Sequence, residues 1–333
     1  MPQLSILLPF YNATATFDRA VDSIVNQTFR DWELLLVDNG STDKGSLLAE
    51  KWRQQDARII LTSCAQRGIA HALNHGLSSI DSPYVARMDA DDWSHPTRLE
   101  KQVVFLNERQ EIGVGGCQTT FESTSKNSEG YEHFVDWQNS IISSNDHFTN
   151  RFKESPIAHP AVMFRRELID QYGAYSTEPI PEDYELWLKW MDSGVRFAKI
   201  PEKLLTWYDE PSRLSRIHSN YSEEAFFKVK GQNLANWMER NVNPDKKVVA
   251  CGTSKECRQR ARWLMDQGVR IDYLTDVVPR SPRDFEFLRY QKINSPRDYF
   301  VLNLIGQRGV GQEVEKLLSG VDFVPGRDYL SLA

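Results

Sequence analysis

Cysteine is scarce: Cys64, Cys117, Cys251 and Cys257 are the four in 333 residues. Their spacing fits neither a metal site nor a disulfide framework, so they read as thiols of a reducing compartment, and a cytoplasmic location is expected. Long hydrophobic runs are missing as well. The apolar run at residues 4–8 is shorter than a signal-peptide core, and no later run approaches the roughly 20 residues of a membrane span. The chain is therefore expected not to cross a bilayer, while peripheral contact at the inner face of the membrane stays open, since an amphipathic or basic patch suffices for that. Positive charge is in deficit: the formal net charge of -6 argues against a surface built to grip nucleic-acid phosphates.

What is present is the balance of an ordinary folded protein, 40% hydrophobic and 26% charged, over a length that suggests two domains. Short apolar runs, "LSILLP", "WELLLVD", "RIILTS" and "YVARMD", alternate with helix-like segments at residues 14–27, 44–55 and 69–77. Near-continuous apolar strands of this kind are buried on both faces, as in a parallel α/β sheet covered by crossover helices. Such sheets bind ligands at the carboxyl ends of their strands. Pro9, Tyr11 and Asn12 follow the first strand, "DNGSTD" the second and "DADD" the fourth, so all three are expected at one crevice. Residues 120–150 are polar and weakly periodic and read as an insertion or variable loop region, which either shapes a substrate site or is mere surface.

A polar, proline-containing break, "NPDKK", follows a helix-like segment and suggests a boundary near Asn243. The expected domains are residues 1–240 and 245–333. The second repeats the α/β alternation through "KVVACGT", "KECRQRARWLMDQG", "VRIDYLTD" and "DYFVLNLIG", as a small Rossmann-like domain. It lacks the Gly-x-Gly-x-x-Gly fingerprint, since "ACGTSKEC" has only Gly252, although Asp276 ends its next strand. Self-association or partner binding is the preferred reading of this part, with vestigial nucleotide binding second.

Asp89, Asp91 and Asp92 end the fourth apolar run, and carboxylates so close repel one another unless solvent or a cation relieves them. A helix-capping aspartate with solvated neighbours is one reading. The other is an oxygen-rich site for Mg2+ or Mn2+, completed by phosphate oxygens and water. Arg87, just before them, either offsets their charge or is a sheet-face residue.

The ordered set "SILLPFYNA", "ELLLVDNGSTD", "GIAHALNHGL", "YVARMDADDW", "HPAVMFRR" and "PEDYELWLKW" resembles the family 2 glycosyltransferases over residues 1 to about 225. The resemblance implies a GT-A-type nucleotide-sugar-binding domain with a mostly parallel central sheet. It implies that Asp91 is a direct ligand of a divalent cation, Mn2+ or Mg2+, with Asp89 near the metal or the ribose. Asp92 orients Asp91, touches substrate or caps the following helix. Asp38, which by itself reads as a turn residue, and Tyr11, as a stacking ring, are expected at a uracil base. Arg67 is expected at base or phosphate, although "QRG" departs from the family's common Asn-x-Gly, and Pro9 and Asn12 complete the nucleotide site.

In "PEDYELWLKW", Pro181 opens a helix, and Glu182 and Asp183 fall in its first turn, where acids commonly serve the helix dipole. By resemblance Asp183 takes the position of the catalytic base and Glu182 contacts a sugar hydroxyl. His159 is carried as a substrate contact and His218 as a phosphate or metal contact; lone histidines are more often structural. The expected function is inverting transfer of one sugar from a nucleotide-diphosphate sugar, UDP-linked, to a saccharide or lipid-linked saccharide in bacterial surface-polysaccharide assembly. Two readings compete: a catalytically silent nucleotide-sugar-binding scaffold, and a nucleotidyltransferase, which would want a glycine-rich basic loop where "LPFYNATATF" has no glycine.

Overall fold

A computed structural model describes every residue except 125–127, 211, 212, 214, 215, 217 and 279–283. The first strands form where the sequence is apolar on both faces. Strand β1 (Leu4–Phe10) is buried along its whole length. It lies between β2 (Trp32–Asp38) and β4 (Tyr84–Arg87), parallel to both, and β3 (Ile59–Ser63) extends the sheet beyond β2 as an edge strand, exposed at Ile60 and Ser63 and so not buried on both faces as its apolar run suggests. Helices α1 (Phe17–Val25), α2 (Gly45–Gln55) and α3 (Ile69–Leu77) make the crossovers. Gly76 on α3 is needed for close approach: a Cβ there would stand 2.3 Å from a methyl of Leu7 and 3.1 Å from one of Val37.

Beyond β4 the direction changes. The elements that follow are β5 (Trp93–Ser94), α4 (Arg98–Glu108), β6 (Ile112–Ser123), α5 (Glu129–Ser140), α6 (Ser144–Asn150), β7 (Met163–Arg165), α7 (Glu167–Tyr172), α8 (Glu182–Asp192) and β8 (Arg196–Asp209). Eight strands run in the order β3-β2-β1-β4-β7-β6-β8-β5, with β7 antiparallel to β4 and β6, and β6 parallel to β8. One core joins Leu4, Ile6 and Leu8 of β1 to Phe17, Val21 and Ile24 of α1 and Leu99 and Val103 of α4. Each such fully buried side chain contributes about 1.5–3 kcal/mol relative to exposure. This unit comprises Met1–Ser144, Ile157–Glu178 and Lys189–Ile217.

The second compact unit gathers Asn145–Pro156, Pro179–Leu188 and His218–Ala333. Its elements include α9 (Glu223–Asn241), β9 (Lys247–Cys251), α10 (Lys255–Asp266), β10 (Tyr273–Thr275), β11 (Tyr299–Asn303), α11 (Val310–Ser319) and β12 (Tyr329–Ser331). Four strands in the order β10-β9-β11-β12 are all parallel. Helix α9 starts at Ser222, whose hydroxyl accepts from the Ala225 amide as an N-cap should. Its Val229, Leu234 and Trp237 share a core with Val248, Ala250, Phe300 and Leu302. No helix among the described residues is long and apolar enough to cross a membrane.

Candidate functional site

The loops at the carboxyl ends of β1, β2 and β3 are tied together by side chains of the expected turn type. Asn12 has φ 50, a left-handed conformation that asparagine tolerates. Its Oδ1 accepts from the Thr42 amide at 2.8 Å, and its own amide donates to Ser41 Oγ at 3.2 Å. Asp43 accepts from the amide and hydroxyl of Thr14 at 2.9 and 2.5 Å. Asn39 Nδ2 donates to Gln66 O at 2.7 Å while its Oδ1 accepts from the Gly68 amide at 2.8 Å. Asp38 caps the same turn, its oxygens accepting from the Ser41 amide at 2.8 Å and the Ser46 hydroxyl at 2.5 Å. Pro9 is buried within β1, opposite Val37. Tyr11 is 51% exposed, and the Arg67 guanidinium lies 4.5 Å from its ring centroid. Tyr11, Asn12, Asp38 and Arg67 therefore share one loop cluster, offering a flat ring, a cation and a carboxylate.

The three aspartates follow β4 directly, and one oxygen from each lies within 4.8 Å of the others. Two arginines answer their charge. Arg87, fully buried, reaches Asp89 Oδ1 through Nη2 at 2.7 Å. Arg213 faces all three: its nitrogens stand 3.3 Å from Asp92 Oδ1, 3.6 Å from Asp89 Oδ2 and 3.7 Å from Asp91 Oδ2. It lies 4.6 Å from the Trp207 ring and donates to Tyr208 O at 2.7 Å. Asp92 Oδ1 also accepts from the Tyr208 amide at 3.1 Å, and Arg19 Nη2 donates to Asp91 O at 2.5 Å.

Asp92 is fully buried, and its Oδ2 has no hydrogen-bond partner among the described residues. Burial pushes its carboxyl well above the usual carboxylate range, with Arg213 pulling it down and Asp91 and Asp89 pushing it up. Burial raises Asp91 too, against the pull of Arg213. Converging carboxylate oxygens, with a further buried Asp92 oxygen that no described residue bonds, suit the donor set of a hard divalent cation. The residues fit an Mg2+ or Mn2+ ion, which would share the cluster with Arg213 or displace it.

His159 is buried and joined to this cluster through Arg87. Its Nε2 faces Arg87 Nε at 3.0 Å and the Tyr175 hydroxyl at 2.8 Å. Burial and the neighbouring guanidinium hold its pKa well below the ordinary histidine value, so it is neutral. Arg213, Arg19 and Tyr175 were not among the residues singled out by sequence. Arg213 lies 121 positions after Asp92, in a polar stretch with no local sign of its partner.

The second unit holds the remaining candidates. Glu182 and Asp183 open α8 after Pro181, as the helix-start pattern predicts. Glu182 is 5% exposed and accepts from the Tyr221 hydroxyl at 2.7 Å. Asp183 is half-buried, and its Oδ1 lies 2.7 Å from the Tyr184 amide. His218 is exposed and caps a short 3-10 turn, Nδ1 accepting from the Asn220 amide at 3.3 Å.

Residues 5–173 match Glycosyl transferase family 2. The chain belongs to this family. The putative glycosyltransferase EpsE of Bacillus subtilis is 28% identical over 226 residues, 66% of this chain and 78% of that protein. The O-antigen biosynthesis glycosyltransferase WbnJ of Escherichia coli is 25% identical over 250 residues, 73% of this chain and 91% of its own length. Among solved structures, S. aureus TarS in complex with UDP-GlcNAc aligns with a TM-score of 0.57 at 13% identity, over 80% of this chain and 71% of that one. The mannosyltransferase PcManGT of Pyrobaculum calidifontis, in complex with GDP-Man and Mn2+, gives 0.50 at 20% identity, over 72% and 64%. These likenesses show a GT-A-type fold, and the chain is a glycosyltransferase whose aspartates form the family's Asp-x-Asp pattern.

Proposed function

We propose that this family 2 glycosyltransferase moves one hexosyl or N-acetylhexosaminyl group, with inversion, from a UDP-linked sugar to a saccharide or lipid-linked saccharide. The place in metabolism is assembly of a bacterial surface polysaccharide. The observation that carries the reading is the aspartate cluster at the carboxyl end of β4, with a buried Asp92 oxygen that has no hydrogen-bond partner among the described residues. O-antigen and amylovoran biosynthesis in the names of two relatives supports the acceptor class.

Asp91, with Asp89 and Asp92, would hold Mn2+ or Mg2+; bound there, the cation would neutralise charge growing on the departing diphosphate. Tyr11 and Asp38 would receive the base by stacking and hydrogen bonding, with Arg67 at its edge or on a phosphate. Asp183 would accept the proton of the acceptor hydroxyl as that oxygen bonds to the anomeric carbon and the bond to the diphosphate breaks. Glu182 would contact a sugar hydroxyl, His159 another part of the substrate and His218 a phosphate or the metal.

A thermal-protection screen of UDP, GDP and TDP sugars, with Mn2+ or EDTA, tests the donor side, because a ligand of the native state raises its stability. UDP sugars should protect most, and only with Mn2+. Protection that is equal in EDTA, or lost in neither condition by Asp91→Asn, would make the cluster a structural feature.

A further inference from the structure

Arg87 is bonded on every side that the structure describes. Its Nη1 donates to Leu7 O at 2.6 Å and Met88 O at 3.0 Å, its Nη2 to Asp89 Oδ1 at 2.7 Å and its Nε to His159 Nε2 at 3.0 Å. The planar fork is thus bolted to β1, to its own strand end and to an imidazole. Because Nε always carries a proton, His159 Nε2 must be the acceptor. The Tyr175 hydroxyl, 2.8 Å from the same nitrogen, must then donate to it, and the imidazole proton sits on Nδ1. Tyr175 is itself pinned by reciprocal bonds with Asn74, amide to Oδ1 at 3.1 Å and Nδ2 to carbonyl at 2.8 Å.

The consequence falls on Asp89. Its Oδ1 is taken by a fixed guanidinium, so its Oδ2 is the oxygen turned toward the cluster, where Arg213 approaches it at 3.6 Å. We propose that Arg87 is a positioning residue for the cation site, that the neutral His159 ring and the Tyr175 hydroxyl hold Arg87 in place, and that together they fix which Asp89 oxygen serves the cation. This rests on the reading of Asp89, Asp91 and Asp92 as cation ligands. Partners that orient a metal ligand typically matter about 10- to 100-fold in metal affinity. Lysine could keep the charge of Arg87 but not the fork that bonds in three directions at once.

The test is Mn2+ titration of the full chain by calorimetry, without nucleotide, with unfolding midpoints measured on the same samples. Arg87→Lys and His159→Phe should weaken Mn2+ by roughly 10- to 100-fold. His159→Gln returns an acceptor oxygen to Arg87 Nε and should stay within about threefold of the parent, below the range expected for lost orientation. Tyr175→Phe, which removes one hydroxyl and little volume, carries the test should a larger change fail to fold, and should weaken Mn2+ without altering its stoichiometry. Lower midpoints with parental Mn2+ affinity, or equal losses in His159→Gln and His159→Phe, would overturn the proposal. Asp91→Asn separates the two levels: if it abolishes binding while Arg87→Lys binds as the parent does, the positioning role alone falls. A parent that binds no Mn2+ removes the cation reading and this inference with it.

Discussion

Arg213→Met should cost stability in a way that Mn2+ repairs. In the structure, one guanidinium answers three carboxylates at 3.3, 3.6 and 3.7 Å. At an effective dielectric of about 20, each contact is worth about 5 kcal/mol of Coulomb attraction before desolvation is charged against it. Desolvation returns most of that, and breaking one side of a buried ion pair costs about 3–5 kcal/mol in practice. Asp92 softens the loss by taking a proton, since burial already raises its pKa. The lower end, about 3 kcal/mol, is therefore expected at neutral pH, which for a unit of about 200 residues lowers the unfolding midpoint by roughly 6–12 °C.

The sign with pH follows from Asp91 and Asp92, whose folded pKa values lie above the ordinary 3.8. Between 3.8 and those raised values the native state binds more protons than the unfolded one, so stability falls as pH rises. Losing Arg213 widens that window, and the penalty should be larger at pH 8 than at pH 5. Mn2+ replaces the missing positive charge, so the midpoint gap between parent and variant should narrow when EDTA is exchanged for Mn2+. A tenfold tighter site adds about 1.4 kcal/mol at saturating ion. Paired unfolding curves in EDTA and Mn2+, at both pH values, decide it. A gap that is the same in all four conditions would show that Arg213 merely packs on Trp207 and braces the Tyr208 carbonyl.

Three further outcomes are expected. Asp183→Asn should lower single-turnover transfer about a hundredfold to ten-thousandfold with donor affinity nearly unchanged, the amide being unable to take the acceptor proton; transfer at the parental rate would move the base elsewhere. Lys199 is buried and its pKa is pushed down to about 7, largely by that burial. Above that value the native state releases a proton that the unfolded state keeps up to about 10.5. The stability of the parent relative to Lys199→Met should therefore climb across that interval, and a flat difference in chemical denaturation would contradict it. A chain ending after Asn243 leaves Val229, Leu234 and Trp237 of α9 without Val248, Ala250 and Phe300, so limited proteolysis should cut it in α9 far faster than in the full chain.

The parallel strands could be read from the sequence because both faces of β1 and β2 are buried, which leaves a continuous apolar run as the signal. Strands β5 and β7 have two and three residues, too few to carry any periodicity. Polarity misleads in residues 120–150. Asn139 is buried, and its amide exchanges bonds with the Thr119 backbone at 2.8 Å in each direction, extending β6 with a side chain. A residue kept polar in order to satisfy buried backbone looks, in sequence, like one kept polar for solvent.

The three carboxylates lie within 4.8 Å of one another, Asp92 buried and the other two half-buried, so their repulsion is relieved by solvent, by protonation or by a counter-charge nearby. Spacing does not say which. One answer, Arg87, is two residues away and reads in sequence equally as a counter-charge or as a sheet-face residue, because strand alternation is blind to whether a buried side chain is apolar or bonded throughout. The other, Arg213, comes from 121 residues downstream and is brought in by the long pairing of β8 with β6, a contact made by backbone hydrogen bonds that no local pattern specifies. His159 was visible as a lone histidine, and its neighbour across 72 residues determines its proton. Charge clustering in a sequence therefore raises the question of a counter-charge, and only the fold decides whether one is present and whether it is exchangeable, as Mn2+ and Arg213 would be, or permanent, as Arg87 is.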